Sequence, residues 1–181
     1  MKKAYVFLAE GFEEVEALTV VDLLRRANVE LSMVSISQKK SVTGAHGIVV
    51  EADVLYEQAN MEEANALILP GGMPGTRNLQ AFVPLNEALK AANAQGKLVC
   101  AICAAPLVLG QNGILQGKKA CCYPGFEEEL LGATVCYEPA VKDGNTITSR
   151  GVGTAIAFAC EIIAELVGRE IAEEIKKGIC A

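Results

Sequence analysis

Short apolar runs alternate along the chain with segments of helical period. Ala4–Ala9 (AYVFLA), Leu31–Ile36, Ala66–Leu69 (ALIL) and Leu98–Ile102 (LVCAI) are runs rich in Val, Ile and Leu. Such runs mark strands buried on both faces. Shorter strands are expected at Ile48–Glu51, Lys119–Cys122 and Thr146–Ser149. Glu14–Ala27 spaces Val15, Leu18, Val21 and Leu24 as the apolar face of a helix. Asn78–Ala94, Ala104–Gly110, Gly153–Val167 and Ile171–Ile179 read as further helices, with Pro106 tolerated because it falls in a first turn. Strand–helix alternation with continuous apolar strands predicts one α/β domain over residues 1–181, a doubly wound sheet covered on both faces. Ligands of such sheets bind beyond the carboxyl ends of the strands, where the strand order reverses. Three junctions lie there: Glu10–Glu16, Pro70–Gly75 and Ile102–Pro106.

Composition removes several classes of function. Hydrophobic residues make up 51% and charged residues 21%, a globular balance. Aromatics are 5%, Trp is absent and the net charge is -6, so neither stacking platforms nor a basic footprint for nucleic acid is expected. No apolar run approaches the ~18 residues of a membrane span. Met1-Lys2-Lys3 opens on an apolar stretch too short for a signal peptide, and a cytoplasmic protein is expected. The 7 cysteines are odd in number and cluster late, which argues against a disulfide framework.

One cysteine stands apart by position. In Leu98-Val99-Cys100-Ala101-Ile102-Cys103-Ala104-Ala105-Pro106 a buried strand runs directly into a helix, with Cys103 at the turn. This is the logic of a nucleophile elbow, in which small neighbours let the turn be tight. Main-chain N–H groups opening the helix are expected to favour the thiolate and lower the thiol from its usual ~8.5. Cys100 completes a C-x-x-C, but it belongs inside the strand, and Cys121-Cys122 are adjacent and followed by no histidine. Neither a dithiol site nor a zinc site is expected. Gly71-Gly72 after Leu69-Pro70 can present an N–H to an oxyanion. No Gly-Lys-Ser/Thr follows, and no G-x-G-x-x-G is complete, so phosphate and nicotinamide sites are not supported. Glu13 and Glu14 read as acids complementing a helix dipole. Glu16 lies near the sheet's carboxyl edge, where a dry pocket would keep it protonated beside a cysteine and fit it for general acid–base work. His46 is the only histidine, in a loop far from Cys103 in sequence.

Together these motifs resemble the ThiJ/PfpI superfamily, and within it the Parkinsonism-associated deglycase branch. The marks are Glu13-Glu14-Val15-Glu16 with Val21-Asp22-Leu23-Leu24-Arg25-Arg26-Ala27, then Leu69-Pro70-Gly71-Gly72, then Ala101-Ile102-Cys103-Ala104-Ala105-Pro106, then Thr148-Ser149-Arg150-Gly151-Val152-Gly153-Thr154. The resemblance implies a flavodoxin-like three-layer sandwich with a mostly parallel central sheet, usually a homodimer. It implies that Cys103 is the reactive cysteine and Glu16 the protonated carboxyl bonded to it. The N–H groups of Gly72 and Ala104 would form the oxyanion hole. His46 falls where that branch often has a basic residue reaching across the dimer, and Ser149 and Arg150 would line the site's rim or the interface. Many relatives carry a histidine where this chain has Tyr123. A phenol with a pKa near 10 is a poor base at neutral pH, which argues against a Cys-His-acid triad.

The expected activity is cofactor-independent and metal-free: Cys103 attacks a small aldehyde such as methylglyoxal, or its early glycation adduct, and Glu16 shuttles the proton. The alternative is a non-enzymatic redox sensor in which Cys103 is oxidised to a sulfinate.

Overall fold

The computed structural model describes residues 1–181. In chain order the elements are β1 (Lys3–Leu8), α1 (Glu14–Arg26), β2 (Glu30–Ser35), β3 (Ser41–Thr43), β4 (Val49–Glu51), β5 (Val54–Leu55), β6 (Ala66–Leu69), α2 (Gly75–Ala81), α3 (Val83–Ala94), β7 (Leu98–Ile102), α4 (Pro106–Gln111), β8 (Lys119–Ala120), β9 (Thr134–Val135), β10 (Ala140–Asp143), β11 (Thr146–Ser149), α5 (Ala155–Val167) and α6 (Arg169–Gly178). No helix is long and apolar enough to cross a membrane.

Seven strands form the central sheet in the order β10-β11-β7-β6-β1-β2-β5. All its neighbours run parallel except the β10–β11 hairpin at one edge. Alternate residues of each strand feed two separate cores, which is why the runs are apolar throughout. Val6, Ile68, Cys100 and Ile147 pack under α1, α5 and α6. Phe7, Leu67, Leu69, Val99 and Ala101 pack under α2, α3 and α4. This is the expected flavodoxin-like sandwich with helices on both faces. The chain leaves β1 for β2 on one side and later adds β6 on the other, so the order reverses at β1. The carboxyl ends of β1, β6 and β7 therefore meet at one crest.

Four local expectations need correction. Helix α1 is rotated from the predicted face: Val15 and Leu18 are 48% and 36% exposed, whereas Glu14 and Glu16 are 2% and 1% exposed. Its core stripe is Ala17, Val20, Val21 and Leu24, so the first turn aims its acids at the sheet crest. The predicted helix over 78–94 starts earlier and breaks at Phe82, where Pro84 enters the first turn of α3. Residues 119–120 pair with β9 in a separate two-stranded ladder and lie outside the central sheet. Helix α4 begins at Pro106, because residues 103–105 form the turn itself. Strand β10 was missed: Ala140-Val141-Lys142-Asp143 has no long apolar run, although Pro139 before it and Asp143-Gly144 after it are turn signals.

Candidate active site

Cys103 follows β7 immediately and takes a left-handed backbone, φ 66°. That conformation costs a side-chain-bearing residue about 1–2 kcal/mol. Two main-chain bonds hold it: Cys103 N–H donates to the Ser149 carbonyl at 3.0 Å, and Tyr123 N–H donates to the Cys103 carbonyl at 2.8 Å. The elbow is thus pinned from β11 and from the segment after β8, and its half-buried thiol faces the crest.

The Pro70-Gly71-Gly72 turn crosses in front of it. A Cβ on Gly71 would stand 2.6 Å from both the Cys103 Cβ and Glu16 Oε2, so only glycine permits this approach. The N–H groups of Gly72 and Ala104 lie near enough to the Cys103 thiol to draw it down. Neither donates to a backbone carbonyl.

Glu16 reaches the same point from α1. Its Oε2 accepts the Gly71 N–H at 2.9 Å. Its Oε1 is buried with no hydrogen-bond partner, 3.8 Å from where a Cβ on Gly151 would stand. Burial pushes the carboxyl up to about 7, against the pull of the Cys103 thiol and the Gly71 N–H. Burial, then the charge and acceptor oxygen of Glu16, push the Cys103 thiol up to about 12, against the pull of the Ala104 and Gly72 N–H groups. The expected lowering of the thiol is therefore overturned: the main-chain N–H groups pull it down, but burial first and the Glu16 carboxylate second outweigh them. A proton on Glu16 removes the repulsion and turns the carboxyl from acceptor to donor. The two groups share one negative charge, and the first proton leaves the pair near neutral pH.

Cys103 and Glu16 open onto a cleft of ≈ 860 Å³ whose walls include His46, Tyr123, Arg150 and Val152. Tyr123 is 50% exposed at its mouth. Arg150 packs its guanidinium 5.8 Å from the Tyr137 ring centroid and donates to the Tyr137 carbonyl at 3.4 Å. Ser149 is not on the rim. It is fully buried, its hydroxyl donating to the Pro139 carbonyl at 2.6 Å and lying 2.7 Å from the Thr154 hydroxyl. Its position at the end of β11 turns it inward, where it ties that strand to the turn before α5. Cys100 is sealed inside β7, and burial raises its thiol well above the ordinary value.

Glu14 is the residue that sequence reasoning misread. Beyond complementing the helix start, it is buried and accepts the His46 N–H at 2.7 Å and the Ile48 N–H at 3.4 Å on Oε1, and Oε2 lies 2.9 Å from His46 Nδ1. Burial raises its carboxyl, but the His46 ring and these N–H groups outweigh it and hold it down to about 2. Glu14, with Glu13 nearby, raises the His46 imidazole above its ordinary value. No spacing rule links residues 32 apart, so the anchor was invisible in sequence. Glu13, Glu14 and His46 bring ligand atoms within 4.8 Å of one another. Both oxygens of Glu14 already have partners on this loop.

The DJ-1/PfpI family is matched over residues 2–165. A relative from Arabidopsis thaliana, Protein DJ-1 homolog B, is 38% identical over 176 residues, 96% of this chain but 40% of its own length. The chain thus spans less than half of that relative. A protein from Pyrococcus abyssi named a deglycase is 33% identical over 167 residues, 89% of this chain and 97% of its own length. The solved structure of oxidized Toxoplasma gondii DJ-1 superposes with a TM-score of 0.96 at 35% identity, covering 99% of this chain and 98% of that one.

Proposed function

The chain belongs to the DJ-1/PfpI family, and from that premise we propose that it is a cofactor-independent enzyme acting on reactive carbonyls, with Cys103 as nucleophile and Glu16 as proton carrier. The observation that carries this reading is a half-buried thiol, drawn down by the Gly72 and Ala104 N–H groups, beside a buried carboxyl with one oxygen unpartnered. A group titrating at about 7 is matched to proton transfer at neutral pH. The relative named a deglycase supports the substrate class.

With methylglyoxal as substrate the sulfur adds to the aldehyde carbon, and Glu16 gives its proton to the new alkoxide, becoming the carboxylate that the next step needs. The new alkoxide lies on the Gly72 and Ala104 N–H groups. Glu16 then moves the carbon-bound proton of the adduct through an enediol, turning the hemithioacetal into a thioester at the lactate level. Water cleaves the thioester and restores the thiol. The sum is methylglyoxal plus water to lactate, with no net redox change and no cofactor. Tyr123 and Arg150 stand at the mouth, where they contact the substrate's remaining groups.

We also propose a homodimer. Val15 and Leu18 on α1 and Ile48 and Val49 on the β3–β4 hairpin are exposed apolar side chains beside the cleft. His46 stands between them, fixed by its own chain's Glu14.

The test is lactate formation from methylglyoxal by wild type, Cys103→Ala and Glu16→Gln. Turnover by wild type that both substitutions abolish is the expected result. A Cys103→Ala protein that still makes lactate removes the proposal. The second reading, a redox sensor, is favoured by the likeness to the structure of oxidized Toxoplasma gondii DJ-1. No turnover, with one Cys103 oxidised to sulfinate per chain at low peroxide, would select it.

A further inference from the structure

We propose that Cys121 and Cys136 form a reversible redox pair, closing to a disulfide behind the Tyr123 and Arg150 side of the Cys103 cleft. Strands β8 and β9 run parallel, with Lys119 opposite Thr134 and Ala120 opposite Val135. The bond from the Cys136 N–H to the Ala120 carbonyl at 2.7 Å closes the second of these pairs. Cys121 and Cys136 are the next residues on the two strands, and continuing the register by one position sets them opposite each other. Opposed residues on neighbouring strands are about 4.8 Å apart and present their side chains on the same face. Disulfides span Cα separations of about 4.4–6.8 Å, with Cβ atoms about 3.5–4.5 Å apart. Closure thus asks for a small approach of the two Cβ atoms. A ladder of two residue pairs, outside the central sheet, is the place in this fold where that movement meets least resistance.

The two thiols differ in a way that assigns their order of reaction. Cys136 is half-exposed, its sulfur 3.7 Å from the Thr134 carbonyl. Cys121 is buried, accepting from the Thr148 hydroxyl at 3.7 Å, and burial pushes it up to about 11. Hydrogen peroxide meets Cys136 first: an S–O bond forms, the O–O bond breaks, and water leaves a sulfenic acid. The Cys121 sulfur then attacks; the S–S bond forms, the S–O bond breaks, and a second water departs. Two thiols lose two electrons and two protons, and one peroxide is reduced to two waters.

The bridge would join both sides of the cleft mouth. Tyr123 lies two residues beyond Cys121 and lines the cleft, and its N–H holds the Cys103 carbonyl. Tyr137 follows Cys136 and carries Arg150 on its ring and carbonyl. Oxidation at this pair therefore fixes Tyr123 relative to Arg150 without consuming Cys103.

The test uses the full chain carrying Cys103→Ala, which removes the competing thiol, exposed to hydrogen peroxide. Proteolysis after Glu127–Glu129 separates the two cysteines, and mass spectrometry reads the link. A fragment joining Cys121 to Cys136, lighter by two hydrogens and released by reductant, is expected. The link should persist in Cys122→Ala and vanish in Cys136→Ser, a substitution at a half-exposed position that leaves the core intact. Linkage through Cys122, or Cys136 accumulating as sulfinic acid with Cys121 still a thiol, overturns the proposal.

Discussion

Replacing Glu16 by Gln should remove a pH dependence of stability that the wild-type protein carries. Burial holds the Glu16 proton to about 7, against an ordinary value of 4.5. The folded value lies above the unfolded one, so the folded state keeps a proton that the unfolded chain has already lost. This contribution is complete below pH 4.5 and disappears as pH rises through about 7. At about 1.4 kcal/mol per pH unit, the separation is worth roughly 3 kcal/mol. The side chain is 1% exposed, so solvent screening discounts that figure little. Gln keeps the shape and the acceptor for the Gly71 N–H but has no proton to lose. Urea unfolding of both proteins between about pH 4.5 and pH 8 should show wild type falling relative to the variant by roughly 3 kcal/mol, or by roughly 6–12 °C in thermal melts. Stability profiles that stay parallel within about 0.5 kcal/mol would refute the buried, proton-holding carboxyl.

Gly71→Ala places a methyl 2.6 Å from the Cys103 Cβ and Glu16 Oε2, and should cost about 1–3 kcal/mol by chemical denaturation together with most Cys103 reactivity; an active variant of wild-type stability would show that the close approach is unnecessary. Cys103→Gly should be more stable than Cys103→Ala by about 1 kcal/mol, because glycine accepts the φ of 66° at that turn; equal melting temperatures would contradict elbow strain. Glu14→Gln leaves the acceptor for the loop N–H groups but lacks the charge, so the His46 imidazole should titrate lower and the His46 and Ile48 amides should exchange faster; unchanged NMR titration and exchange would remove Glu14 as the loop's anchor.

The strands were legible because burial on both faces leaves an unbroken apolar run, as in Ala66–Leu69 and Leu98–Ile102. That pattern also located the three junctions at the crest, and with them Cys103 and Gly71-Gly72. Helix α1 shows where the reasoning stops. Its apolar face was read as Val15, Leu18, Val21 and Leu24, but the packed stripe is Ala17, Val20, Val21 and Leu24. Tertiary contacts select the other stripe, because the first turn overhangs the crest and its carboxyls find Gly71, His46 and Ile48 there. Ser149 was misplaced for a similar reason. A residue at a strand's carboxyl end points either into the cleft or into the core, and pleat alone does not say which. The relation of Cys121 to Cys136 depends on a two-residue ladder too short to leave a pattern.

The central claim is that Cys103 and Glu16 share one proton that governs the sulfur near neutral pH. The rate of Cys103 alkylation by a neutral reagent, followed across pH in wild type and Glu16→Gln, tests it most directly. The wild-type profile should bend near pH 7, where the first proton leaves the pair, and the variant should lack that bend. Superimposable curves with a single inflection at the ordinary thiol value of about 8.5 would contradict it.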